Sequence, residues 1–186
     1  MQKRFVSLVV ILCFFTIIPA VMGEQAPQKV VDLANSTLAA HGNDPEIVTA
    51  VKKQNAENMS LDSIKATDEK WKNTPGIADY MQAIMDSDCG RYLRKIQDST
   101  PYYSEIFVMD NQGANVAMTD KTSDYWQGDE AKFKNSFSGG KGAVFVDEVE
   151  FDDSAQAYLV QVSVPVLDGG KAIGAITFGI DIDQIE

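Results

Sequence analysis

From Gln28 onward the positions Val30, Ala34, Thr37, Leu38 and His41 recur at helical spacing. The run Gly42-Asn43-Asp44-Pro45 then stops that helix and supplies an N-cap and a first-turn proline for the next. Leu61 to Trp71 carries a third helical pattern, and Ile77 to Met85, through Tyr80, Met81 and Ile84, a fourth. Asp88-Cys89-Gly90 is expected to interrupt it before a short helix over Arg91 to Gln97.

After Pro101 the period changes. Tyr103 to Met109 is rich in β-branched and aromatic residues, Asp110-Asn111-Gln112-Gly113 has turn chemistry, and Asn115 to Thr119 resumes extended character, which predicts a hairpin. Gly128 to Phe137 reads as a short helix ending at Ser138-Gly139-Gly140. Three strands follow, over Ala143 to Phe151, Ala157 to Leu167 and Lys171 to Asp181, the last two joined by Asp168-Gly169-Gly170.

The strand through Tyr158, Val160, Val162, Val164 and Val166 buries that face and turns Leu159, Gln161, Ser163 and Pro165 to the other. In the last strand Gly174, Ala175, Thr177 and Gly179 lie among Ile173, Ile176, Phe178 and Ile180, small residues that let a helix or a ligand come close. The order predicts an α+β domain with a five-stranded antiparallel sheet.

Residues 1–23 stand apart: Lys3 and Arg4 precede an uncharged run from Phe5 to Gly23. This has the form of a signal peptide, with Val21-Met22-Gly23 suited to cleavage before Glu24, and its apolar length also suits an uncleaved anchor. Cys13 lacks the preceding small residues of a lipoprotein signal. The chain holds 16 Lys and Arg against 27 Asp and Glu. Because both basic groups of residues 1–23 leave with that segment, the remainder carries a net charge of about −13. Nucleic acid and anionic lipid are therefore poor partners. With Cys89 alone after Gly23, no internal disulfide is expected, and about 163 residues must be held by their core.

The chemistry is sparse. His41 is the one histidine and falls at a helix end, so it reads as a capping residue, and no base and nucleophile pair for hydrolysis is evident. Cys89 has acidic neighbours and no CxxC partner, which does not favour a reactive thiolate. Without a His or Cys cluster a transition-metal site is not expected, which leaves only hard cations bound by carboxylates, and no cofactor is expected. The run DEVEFDD, 147–153, alternates Glu148, Glu150 and Asp152 against Val149 and Phe151 as a solvated strand face and lacks the form of a calcium loop. TSDYWQGDE, 122–130, is more pointed. Asp129 and Glu130 suit the first turn of the following helix, but Tyr125 and Trp126, adjacent in a polar loop, call either for cover or for a ligand.

Taken together, IFVMDNQGANVAMT (106–119), TSDYWQGDE, FDDSA (151–155) and PVLDGGKAIGAI (165–176) resemble the extracytoplasmic single Cache sensor domains, also called PDC domains and similar to PAS. The resemblance covers roughly residues 28–183 and implies a sheet over 103–183 with the helices of 28–97 packed on one face. It also implies a pocket on the other face, roofed by the loop and short helix after the second strand. It implies an exported, non-catalytic module, 24–186, that binds an amine, amino acid or short organic acid. Signalling would run through a membrane sensor kinase or chemoreceptor, or through a homodimer of the N-terminal helices, since no output domain is expected after Asp181. Tyr125 and Trp126 are then expected as aromatic walls, Asp124, Asp129, Glu130 and Asp152 as polar anchors, and Tyr103 as a hydrogen-bonding group from the first strand. Arg94 suits a carboxylate ligand. The arginine and paired aromatics of the amino-acid-binding subtype would fall near Glu130, Lys132 and Phe133, so that clamp is not evident. A structural or partner-interaction module without a ligand is the alternative.

Overall fold

The computed structural model describes residues 23–153 and 155–185. The leader read from residues 1–23 lies outside them except for Gly23, as does Cys13. The first rod is α1 (Gln28–Leu33), continued by a π-helical turn (Ala34–Leu38) and α2 (Ala39–His41). Asp44 then caps α3 (Pro45–Glu57), its carboxylate accepting from Glu46 N with Pro45 at the first helical position. Ser60 caps α4 (Leu61–Lys72) in the same way through Ser63 N. Next come α5 (Asp79–Met85) and α6 (Asp88–Gln97). Asp88-Cys89-Gly90 does not break the pattern as expected: Ser87 accepts from Gly90 N and caps α6, so these three residues form its first turn.

The sheet consists of β1 (Tyr103–Met109), β2 (Asn115–Met118), β3 (Phe145–Asp152), β4 (Ala157–Asp168) and β5 (Lys171–Asp181), with α7 (Ala131–Phe137) between β2 and β3. Among the described residues it is five-stranded and antiparallel throughout, in the order β2-β1-β5-β4-β3. Helix α7 starts later than the sequence suggests. Gly128 lies against Gln112 and Trp126, where a Cβ would come within 2.5 Å of both, so the chain turns before it can coil and Glu130 becomes the N-cap.

Each face of the sheet has its own core. On one, Val160, Val162, Val164 and Val166 of β4 join Ile176, Phe178 and Ile180 of β5 and Ile106 and Val108 of β1 beneath Val30, Leu38, Ile47, Val51 and Leu93 of the helices. The alternation expected for β4 is thus realised from Val160 to Val166, whereas Tyr158, expected on the same buried face, is exposed beside Phe151 of the edge strand β3. On the other, Phe107, Met109, Met118 and Ala175 meet Ile64 and Trp71 of α4, Met81 and Met85 of α5, Tyr125 and Phe133. The N-terminal helices therefore divide, α1 to α3 and α6 covering one face while α4 and α5 cross to the other.

Small residues of β5 set how near that second layer comes. Thr177 and Ser163 are fully buried and hydrogen-bonded to each other at 2.7 Å, on the strands against which α7 packs. Further along, Gly179 stands between two polar residues of its neighbours, paired with Glu105 of β1 on one side and Gln161 of β4 on the other.

Candidate functional site

On the α4 and α7 side the sheet opens into a hollow of about 430 Å³. Its floor is Glu105 and Phe107 of β1 with Gln161 of β4, and its wall is Trp71 and Lys72 at the end of α4. Lys121 to Gln127 bring Lys121, Thr122, Ser123 and Gln127 across it, Lys132 enters from α7, and Asp152 and Asp153 close the β3–β4 corner. Lys132, Asp152 and Gln161 also line a neighbouring recess of about 350 Å³ with Glu130, Asp147, Glu148 and Glu150.

The floor exists because Gly179 has no side chain. Glu105 and Gln161 flank it in register, and Gln161 Nε2 donates to Glu105 Oε1 at 3.1 Å over the gap. A Cβ on Gly179 would sit 2.7 Å from Glu105 Cγ. Burial pushes the Glu105 carboxyl above its ordinary value, opposed by the charge of Lys132.

The roof is pinned by one carboxylate. Asp68 on α4, 4% exposed, accepts with Oδ1 from the backbone N–H of Tyr125 at 2.9 Å and of Trp126 at 3.0 Å, and its Oδ2 meets Lys72 Nζ at 2.7 Å. Trp71 Nε1 donates to Thr122 O at 2.8 Å, and Asn115 Nδ2 to Thr122 Oγ1 at 2.7 Å and Asp124 O at 3.1 Å. Backbone bonds from Asn115 N to Tyr125 O and from Gln127 N to Gly113 O tie the same segment to the start of β2. The loop is thus hydrogen-bonded both to α4 and to the start of β2.

This anchoring decides where the residues singled out from the sequence fall. Tyr125 is buried, its ring 5.6 Å from that of Trp71, and burial, then the charges of Asp110 and Glu57, push its hydroxyl up to about 12. It belongs to the core of that sheet face and is not among the residues lining the hollow. Trp126 is half-buried outside the hollow, with Lys65 Nζ 4.7 Å above its ring and its Nε1 donating to Gln112 O at 2.8 Å. The two therefore find the cover that adjacent aromatics require within the protein itself.

Asp124 pairs with Lys72 at 2.8 Å. Burial raises its carboxyl, but the hydrogen bonds from Lys72 and Ser123 outweigh this and hold it below its ordinary value. Asp129 is exposed in the turn before α7, and Glu130 pairs with Lys132 at 2.9 Å. Neither acid occupies the first turn of α7, because that helix begins at Ala131.

Tyr103 lies in the core of the opposite sheet face, 5.7 Å from Phe178. Arg94 on α6 is engaged by Met85 O at 2.7 Å and Asp86 at 2.8 Å. Of the eight residues, Asp152 lines the hollow and, with Glu130, the neighbouring recess.

The lining includes residues that the sequence pattern did not single out, among them Lys72, Glu105, Phe107, Lys121 and Gln127. The available signal was polarity within apolar strands: Glu105 interrupts YSEIFVM as Gln161 interrupts the valines of β4. Gln127 is 1% exposed, and its Nε2 donates to Asp124 O at 2.8 Å. No group of three His, Cys, Asp or Glu among the described residues is arranged to hold a metal ion. His41 packs on Phe178 in the other core, and burial lowers its imidazole pKa against the opposing charge of Asp44. Cys89 is buried, its thiol pushed up to about 12 chiefly by that burial.

No protein-family profile and no curated protein matches the chain. Among solved structures it is similar to sensory domains of chemoreceptors and histidine kinases. The ligand-binding domain of Campylobacter jejuni chemoreceptor Tlp3 in complex with 4-methylisoleucine is 14% identical, with a TM-score of 0.43 over 85% of this chain and 60% of that one. The V. cholerae histidine kinase DctB sensor domain is 13% identical, with a TM-score of 0.39 over 84% and 59%. The ligand-binding domain of the Pseudomonas aeruginosa PAO1 amino acid chemoreceptor PctC in complex with GABA is 10% identical, with a TM-score of 0.38 over 86% and 64%. The chain thus spans less than two thirds of the length of each.

Two outcomes test this geometry. Asp68→Ala leaves two backbone N–H groups without an acceptor and should cost about 2–4 kcal/mol, with Asp68→Asn, which keeps one oxygen, costing less; urea unfolding measures both. For Glu105, a raised folded-state pKa means stability that is complete below the ordinary value of 4.5 and is lost as pH rises through the folded value. Glu105→Gln should therefore be more stable than the parent at pH 7 and flatter across that window, and thermal unfolding between pH 4 and 8 reads the difference.

Proposed function

We propose that this chain is an extracytoplasmic, non-catalytic sensor module of the Cache type that binds a small polar molecule in the hollow between the sheet and the 121–127 segment. The observation that carries this reading is the hollow itself. Side chains of β1, β4, α4 and α7 converge on it with two loops, at a volume within the range of small-molecule sites. The lining offers carboxylates, amines and amides but no activated nucleophile, which suits binding rather than turnover. The resemblance of the 106–119, 151–155 and 165–176 motifs supports the same reading. Binding would reach the cell through a partner, such as the extracytoplasmic part of a membrane kinase or chemoreceptor, or through a homodimer of the N-terminal helices. No helix among the described residues is long and apolar enough to cross a membrane. Export would then rest on residues 1–23.

A thermal-shift screen of the purified chain against amines, amino acids and short organic acids tests the binding. A ligand at one hundred times its Kd should stabilise by about 2.7 kcal/mol, and silence across the panel would overturn the reading. In a responding protein, Trp126→Ala should lower stability yet keep the shift, because Trp126 lies outside the lining. Mass spectrometry of the N-terminus tests export: a chain starting at Glu24 outside the cytoplasm is expected, and a cytoplasmic chain with Met1 intact contradicts it.

A further inference from the structure

Strand β3 is an edge of the sheet, and among the described residues its outer side is paired at a single position. There Val149 N donates to Glu24 O at 2.8 Å in an isolated antiparallel bridge. That bond shows the Val149 amide turned away from β4. By the alternation of an antiparallel ladder, the N–H and C=O of Phe151, two residues on, point outward as well. Among the described residues no strand takes them up.

The side chains along this edge divide by face. On one, Phe151 and Tyr158 stand opposite each other in register, their rings edge to face at 5.2 Å, and remain 49% and 52% exposed. On the other, Glu150 joins Asp147 and Glu148 in lining the acidic recess beside β3. No lysine or arginine among the described residues forms an ion pair with these three or with Asp153, and Lys132 in the same recess is held by Glu130. Charges along an edge strand guard it against neutral strands and against further copies of an acidic chain. Guarding does not account for the aromatic pair, because an edge built only to stay unpaired gains nothing from two exposed rings.

We propose that the outer edge of β3 receives an extended segment of a basic partner protein, which adds to the sheet as a further strand. The outward N–H and C=O of Phe151 supply main-chain hydrogen bonds, and strand alternation gives each partner residue its place. Apolar side chains fall beside Phe151 and Tyr158, and lysines or arginines fall on the opposite face beside Glu150 and the other acids of the recess. Charge complementarity decides the occupant. A second copy would bring another chain with 27 Asp and Glu against 16 Lys and Arg, its own edge acids set against these, and like charges oppose that pairing. The inference stands independently of ligand binding in the hollow.

Titration of the purified chain with a capped heptapeptide alternating lysine and valine, followed by backbone-amide NMR, tests the proposal. The amides of Val149 to Asp152 should shift and saturate, and added salt should weaken the binding. A glutamate–valine heptapeptide should bind at least about tenfold more weakly. So should the lysine peptide with alternate backbone nitrogens methylated, which keeps the charge and loses the strand-forming N–H groups. Phe151→Thr and Glu150→Gln, both at exposed positions, should each weaken the lysine peptide about threefold or more, while Asp98→Asn at the exposed end of α6 should leave it unchanged. Equal affinity of the methylated peptide would overturn strand addition, and equal affinity of the glutamate peptide would overturn the basic partner. Silence at β3, or unchanged affinity in both variants, would overturn the proposal as a whole. A dimer of the chain alone that Phe151→Thr dissolves would give the edge to a second copy and overturn it equally.

Discussion

The Asp68 carboxylate ties helix α4 to the loop that crosses the hollow. It lies on a helix that packs against the sheet, and with one oxygen it fixes the backbone of Tyr125 and Trp126 at the centre of the loop that crosses the hollow. Its other oxygen holds Lys72, which in turn reaches Asp124. A buried charge is costly unless its lone pairs are taken, and here two N–H groups and an ammonium take them. Loop position, the orientation of the Gln127 amide through Asp124 O, and the burial of Tyr125 against Trp71 all follow from that network.

The floor obeys a steric rule of similar force. A central strand with a full row of large residues would bring its side chains level with those of its neighbours. Gly179 instead leaves a trough one residue wide, across which Gln161 reaches Glu105. At the next position on that face of β5, Thr177 and Ser163 bond to each other in full burial. One strand therefore sets both how near α7 packs and where the hollow begins.

Much of the fold was legible in the chain. The valine alternation of β4, the Asp44-Pro45 cap and the Asp168-Gly169-Gly170 turn are local patterns whose physical meaning depends little on distant partners. Boundaries slipped at helix starts. A local cap, Ser87 accepting from Gly90 N, makes Asp88-Cys89-Gly90 the first turn of α6, and Gly128 lies against Gln112 and Trp126 just before α7 begins at Ala131. The candidate site was less legible. Tyr125 and Trp126 posed a sound question about cover, but their adjacency could not show that Trp71, Lys65 and Gln112 would supply it.

By itself the sequence determined the period of each element, the acidic charge, the absence of a histidine–nucleophile pair and the small residues of β5, because these are properties of neighbours along the chain. Only the tertiary structure decided which polar groups converge. Glu105 and Gln161 lie fifty-six positions apart and become partners solely because both flank Gly179. The backbone of the TSDYWQGDE segment is held by Asp68, fifty-seven and fifty-eight positions before the two amides it binds. Hydrogen-bond satisfaction is a sum over spatial neighbours, and no local pattern contains it.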